Sequence, residues 1–262
     1  MLPDIQDQYE PRGIPLHRVG IAGVRYPTRF CDGELKQSGI ATFDLAVTLE
    51  EHRRGTHMSR MVEAIHETMQ ELDPRSLPVA LKSAAGRLDA AEIEVRIALP
   101  VATTVTSPAS GRESWQASDV EIVATWNSQM SRVATTVISE VTSLCPCSKA
   151  ISDFGAHNQR SSVRVAIIGR DDTAYPLDVM SIIGLIREVG SCPIYPLIKR
   201  PDERFVTMQA YEHPAFVEDM ARDVSTRLRE QQLEHSVQVR NFESIHSHDA
   251  IAAVQWSPDS AM

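Results

Sequence analysis

The period of the hydrophobic pattern switches from two to 3.6 and back, twice along the chain, and this double switch constrains the fold more than any other feature. Leu16 to Val24 reads as a first strand, and Ala41, Phe43, Leu45, Val47 and Leu49 alternate with polar or small neighbours, as a strand buried on one face does. Met58, Met61, Val62, Ile65, Met69 and Leu72 then fall at helical spacing, and an Ala-rich helix follows from Ser76 to about Ala85. Ala91, Ile93, Val95, Ile97 and Leu99 restore the alternation, and Val120 to Trp126 makes a partner strand after a Pro-, Ser- and Gly-bearing loop from Pro100 to Ser118.

The second half repeats that order. Strands are expected near Val133 to Val141 and Val163 to Ile168, and a helix through Val179, Ile182, Ile183, Ile186 and Val189. A long helix from Pro214 to about Glu234 follows, with closing strands at Val237 to Phe242 and Ala250 to Trp256. The halves share architecture rather than residue identity. Two ββααββ modules predict an α+β fold, with antiparallel sheets carrying helices on one face. The expected organisation is a polar lead over 1–15, a first module over 16–127 and a second over 128–262. Open sheet edges invite pairing, so side-by-side association into a barrel-like oligomer is expected.

With 262 residues, 42% of them hydrophobic, the chain can bury a full core. A net charge of -9 argues against a general nucleic-acid binder, whose affinity comes from many phosphate contacts, but leaves room for a local basic pocket. Met1 to Pro15 has no apolar core of a signal peptide, and no later apolar run is long enough to span a bilayer, so a cytoplasmic protein without membrane partners is expected.

Cys31, Cys145, Cys147 and Cys192 are the four cysteines, and no C-x-x-C pair is present. Cys145 and Cys147 in Leu144-Cys145-Pro146-Cys147-Ser148-Lys149, with His157 in Gly155-Ala156-His157-Asn158-Gln159, place thiolate and imidazole within one short polar stretch. Both are good ligands for a borderline metal, and the setting suggests a reactive centre. Read by itself, Cys145 is equally a buried free thiol. Pro146 favours a turn or strand end, so one cysteine can ligate while the other packs or tunes. His246 and His248 alternate beside the last strand and can project to one side as proton carriers. Glu218 lies next to the apolar stripe formed by Val217, Met220, Val224 and Leu228, where it is either a surface helix charge or a carboxylate able to accept paired hydrogen bonds.

Five separated segments carry a family resemblance: Arg54-Gly55-Thr56-His57-Met58-Ser59-Arg60, Ser143 to Lys149, Gly155 to Ser161, Lys199-Arg200-Pro201-Asp202-Glu203 and Ser244-Ile245-His246-Ser247-His248-Asp249-Ala250. Together, and in this order, they resemble the motifs of GTP cyclohydrolase type IB, over nearly the whole chain. The resemblance implies the tunnelling fold, as tandem modules in a homotetramer with active sites at subunit interfaces. It also implies conversion of GTP and water to 7,8-dihydroneopterin triphosphate and formate, the entry step of pterin and tetrahydrofolate biosynthesis.

By motif position the resemblance makes Cys145, His157 and Glu203 the ligands of one divalent metal, manganese or zinc, although Glu203 alone reads as a solvated loop charge. Opening the guanine imidazole ring requires water to add at C8, which a cation promotes by lowering the pKa of water. Three protein ligands leave a coordination position for that chemistry. Glu218 then anchors guanine through N1 and its exocyclic amine. His248, ahead of His246, carries the proton. Lys149, Arg160, Lys199 and Arg200 are candidates for the triphosphate, with Arg53, Arg54 and Arg60 reaching across an interface. His57 either contacts substrate from a neighbouring subunit or shapes the entry to its helix. No Walker or G-x-G-x-x-G sequence is present, which excludes a Gly-rich phosphate loop. The rival readings are another tunnelling-fold enzyme with a cysteine nucleophile, of the pterin synthase or nitrile reductase type, and a noncatalytic metal-stabilised oligomer.

Overall fold

The computed structural model describes residues 5–258, so Met1–Asp4 of the polar lead lie outside the described residues. In chain order the elements are β1 (Leu16–Asp32), β2 (Leu35–Leu49), α1 (Met58–Thr68), β3 (Glu71–Leu72), α2 (Leu77–Leu88), β4 (Glu92–Thr106), β5 (Glu113–Asn127) and β6 (Ser131–Leu144). They continue with α3 (Pro146–Ile151), β7 (Asn158–Arg170), α4 (Val179–Val189), β8 (Cys192–Pro193), α5 (Arg200–Glu212), α6 (Val217–Glu230), β9 (Glu234–Asn241) and β10 (Ala250–Trp256). The class is α+β. The chain forms two compact units, and β4, β5, β6 and β7 each give a segment to both.

The first unit holds the described residues up to Leu99 together with Glu121–Thr135 and Ile168–Pro176. Its sheet places β3, β1, β2 and β4 side by side; β1 and β2 pair antiparallel, as do β2 and β4, whereas β3 lies parallel to β1. Ala41, Phe43, Leu45, Val47 and Leu49 are buried, as the alternation predicts, and so are Met61 and Ile65 of α1 and Leu77, Leu81 and Leu88 of α2. Gly20 is required where the strands approach, because a Cβ there would stand 1.9 Å from the Leu45 carbonyl oxygen.

β1 runs well past the expected end at Val24. Thr28, Phe30 and Asp32 form its buried face, and a carboxylate in that row hides the alternation from a hydrophobic scan. Asp32 is tolerated because Arg75 donates to it at 2.8 Å and the Tyr175 hydroxyl at 2.7 Å. Most of the loop expected from Pro100 to Ser118 is likewise strand, with only 107–112 connecting β4 to β5. The inward positions Gln116 and Ser118 are polar and are satisfied by Arg187 at 2.8 Å and Ser139 at 3.1 Å.

The second unit comprises Pro100–Val120, Thr136–Ile167 and the described residues from Leu177 onward. Here β10 pairs antiparallel with β9, β9 lies beside β7, β7 beside β6, and the short β8 pairs with β6. Helix α6 buries Val217, Met220, Ala221, Val224 and Leu228 and packs on β9 and β10. The Val, Met and Leu side chains each contribute about 1.5–3 kcal/mol of apolar burial, and Ala221 less. The segment from Lys199 to Glu203 is not a loop: it caps and begins α5. Asp202 is fully buried and accepts from the main-chain N–H groups of Ala109, Ser110 and Lys199, each at 2.8 Å. Burial opposes ionisation of this carboxyl, but hydrogen bonds from Ser110, Lys199 and Ala109 outweigh it and hold the pKa well below the usual carboxylate range.

Under α6, the buried His235 accepts from Ser225 Oγ at Nε2 (2.9 Å) and donates from Nδ1 to the Leu233 carbonyl (2.7 Å), while Trp256 stacks on its ring. Burial lowers its pKa from 6.5. The unfolded chain therefore binds the proton more readily than the folded one, so this contribution to stability is complete above pH of about 6.5 and is lost as pH falls below it. Thermal melts between pH 7.5 and 5 should show the midpoint falling over the acid half, and His235→Gln should flatten that fall relative to the parent.

Candidate active site

The end of β6 and the start of β7 meet at Cys145 and His157. The Cys145 N–H donates to the His157 carbonyl at 3.1 Å, which closes the strand pair around the short excursion of α3. Pro146 at the first position of α3 ends the ladder and starts the helix, since it lacks a donor and its φ suits a first turn. Cys145 is the N-cap, half-buried, and its Sγ accepts from the Ser148 N–H at 3.4 Å. Gly155, at φ +73, turns the chain back toward His157. Cys147 is exposed. Cys192 is buried, and desolvation pushes its thiol up to about 11, as befits a packing residue.

His157 Nδ1 lies 2.8 Å from Gln159 Oε1. With an amide oxygen as partner, Nδ1 carries the hydrogen, and the Nε2 lone pair is left for a ligand or a proton. Gln159 is itself buried, and Ser244 Oγ donates to the same oxygen at 3.4 Å. Glu243 Oε2 stands 3.9 Å from His157 Nδ1; its side chain is 9% exposed and this oxygen has no hydrogen-bond partner. A buried carboxylate oxygen left unpaired beside an imidazole marks a place where a proton or cation is favoured.

Glu243 belongs to the bend between β9 and β10. Asp249 ties that bend together, accepting from the Glu243 N–H at 3.3 Å and from Arg240 Nε at 2.7 Å. His246 and His248 project from it, exposed, with rings stacked at 5.2 Å, and His246 meets the His157 ring edge-on at 6.4 Å. The structure therefore gathers Cys145, His157, His246 and His248, and adds Gln159 and Glu243, which the sequence reading assigned no role. The available signal for Gln159 was its spacing: two residues beyond His157 on an extended segment, it shares that face.

The remaining candidates are spread more widely. Glu203 and Glu218 are exposed side chains in the first turns of α5 and α6. Among the described residues no group of three or more His, Cys, Asp or Glu is assembled to hold a metal. Cys145 and His157 nonetheless suit a borderline divalent ion by donor type, by the tautomer that Gln159 selects and by the uncompensated Glu243 oxygen behind them. Lys149 Nζ donates to the Tyr211 carbonyl at 2.5 Å and lies over the Tyr211 ring, and Arg160 pairs with Glu140 at 3.2 Å. Lys199 and Arg200 are exposed at the start of α5. In the first unit, His57 is the N-cap of α1, 3.9 Å from Asp7; Arg53 and Arg54 bond to Asp89 and Gln8, and Arg60 is exposed.

Comparison with known proteins extends this picture. Residues 2–252 match the family model described as type I GTP cyclohydrolase folE2. GTP cyclohydrolase FolE2 of Nitrosococcus oceani is 40% identical over 259 residues, covering 97% of this chain and 95% of that protein. GTP cyclohydrolase FolE2 2 of Cupriavidus metallidurans is 38% identical over 257 residues, with 97% and 95% covered. Among solved structures, uricase from Arthrobacter globiformis superposes with a TM-score of 0.54 at 9% identity, covering 94% of this chain and 95% of that one, a likeness of fold alone. With a family model matched along nearly its whole length and relatives close to 40% identical end to end, this chain belongs to the type I GTP cyclohydrolase FolE2 family.

Proposed function

We propose that this chain converts GTP and water to 7,8-dihydroneopterin triphosphate and formate, the first step of pterin and tetrahydrofolate biosynthesis, at the site built on Cys145 and His157. The observation that carries the reading is the main-chain bond between these two residues combined with the Gln159 contact that leaves His157 Nε2 as a donor. Family membership supports GTP as the substrate.

Cys145 and His157 would hold one divalent cation, manganese or zinc, with Glu203 of α5 as the oxygen donor. When bound, such a cation brings the pKa of water toward neutrality and so supplies the nucleophile for C8 of guanine. The protein's own groups do the rest. Gln159 orients the His157 ring through Nδ1. Glu218 accepts from guanine N1–H and the exocyclic amine. His248, stacked on His246, delivers and recovers the proton that ring opening requires. Lys149, Arg160, Lys199 and Arg200, joined across a subunit interface by Arg53, Arg54 and Arg60 of a neighbouring copy, form the cationic set for the triphosphate, and His57 of that copy contacts the substrate.

The reading includes tandem tunnelling-fold modules, 16–127 and 128–262, assembled as a barrel-like homotetramer with interfacial sites. Ile151 and Phe154, 87% and 94% exposed directly after the Cys145 turn, support burial of that surface by another subunit. No helix among the described residues is long and apolar enough to cross a membrane, and the proposed setting is cytoplasmic.

Chelation should abolish formation of fluorescent neopterin triphosphate and formate from GTP while the oligomer stays intact, with activity restored by manganese or zinc; full turnover without metal would end the proposal. Cys145→Ala, His157→Ala and Glu203→Ala should each lose bound metal with the fold retained, read by elemental analysis and circular dichroism. Gln159→Leu releases the His157 ring and should weaken manganese binding about 10–100-fold in a spin-resonance titration. Normal affinity in that variant would remove Gln159 from its orienting role.

A further inference from the structure

We infer that Ser143, Asn241 and Ser161 are positioning residues that fix the guanine-anchoring end of the site against its Cys145 end. The inference rests on the reading of Glu218 as the guanine anchor.

A line of hydrogen bonds with a single sense runs through the interior of the second unit. Ser161 Oγ donates to Asn241 Oδ1 at 2.5 Å, Asn241 Nδ2 donates to Ser143 Oγ at 2.9 Å, and Ser143 Oγ donates to the Ala215 carbonyl at 2.8 Å. The carboxamide sets the direction: its oxygen must receive a hydroxyl hydrogen and its nitrogen must give one, so Ser143 has its own hydrogen free for Ala215. The three side chains are 0%, 4% and 1% exposed for Ser161, Asn241 and Ser143. Buried polar groups of this kind are costly unless fully satisfied, and when satisfied they specify one geometry.

The geometry specified here is that of Ala215. Its N–H donates to the Leu144 carbonyl at 3.1 Å, and its own carbonyl takes the Ser143 hydroxyl. Both polar groups of one residue are thus fastened to the strand end immediately before Cys145. That strand end is held in turn by Ser191, whose Oγ accepts from the Leu144 N–H at 2.9 Å and whose N–H donates to the Thr142 carbonyl at 2.8 Å. On the other side, Ala215 immediately precedes Phe216, the N-cap of α6, and Glu218 stands in the first turn of that helix.

Guanine is rigid. Its C8 lies at the imidazole end and its N1 and amine at the pyrimidine edge, so an anchor and a reaction centre must be spaced to match. The relay through Ser143 sets that spacing without touching substrate. An anchor of this kind holds ground and transition states alike, so loosening it raises KM and spares kcat.

The test compares Ser143→Ala, Ser161→Ala and Glu218→Gln in full-length, manganese-loaded protein. The readouts are KM and kcat for GTP, inhibition by inosine 5′-triphosphate, which lacks the exocyclic amine, bound manganese and the thermal midpoint. Ser143→Ala should raise KM for GTP about tenfold, leave kcat within about twofold and bound manganese unchanged, and narrow the preference for GTP over the inosine nucleotide. Ser161→Ala removes only the far end of the relay and should move the same quantities in the same direction by about threefold, which keeps the inference testable if Ser143→Ala fails to fold. A lowered thermal midpoint with unchanged KM and preference in the relay variants, alongside a raised KM in Glu218→Gln, overturns the positioning role. A normal KM in Glu218→Gln itself overturns the anchor reading, and the inference with it.

Discussion

One main-chain hydrogen bond, from the Cys145 N–H to the His157 carbonyl, is the contact on which the rest of the site depends. It closes the β6–β7 pair around α3 and so brings a thiol and an imidazole, twelve positions apart in the sequence, onto the same rim. Backbone pairing is a stiffer constraint than any side-chain contact, because each strand is itself laced into a sheet on either side. The side chains add chemistry to a frame already fixed. Gln159 chooses the tautomer of His157, and the Asp249-tied bend supplies Glu243 and the stacked histidines.

The positive charges proposed for the triphosphate are differently disposed from the Cys145 and His157 donors. Lys149 and Arg160 are held by Tyr211 and Glu140 within the second unit, and Lys199 and Arg200 stand in solvent. A triphosphate would draw its partners from groups that already have modest local contacts and can exchange them, since exposed ion pairs contribute little to stability.

Much of this was legible before any coordinates. β2, α1, α4 and α6 stand close to where periodicity places them, because each has one strongly apolar face, and β10 does too, though none of its residues is fully buried. The misses share a cause: buried polar groups. Asp32 on β1, Gln116 and Ser118 on β5 and Asp202 on α5 face inward with partners distant in sequence, and a hydrophobic scan reads each as a loop. The same blindness explains the site. Cys145 and His157 announce themselves by donor chemistry, whereas Gln159, Glu243 and Asn241 have meaning only once the strands are paired.

The Asp202 clasp also has a kinetic side. The first turn of α5 is secured by N–H groups from the tip of the β4–β5 hairpin, 93 and 92 positions earlier. A contact spanning so much chain closes only after the intervening strands have found one another, because loop-closure entropy must be met first. Glu203, the neighbour of Asp202, therefore takes its final place only once the β4–β5 hairpin has formed, so the start of α5 depends on a distant turn as well as on its own sequence.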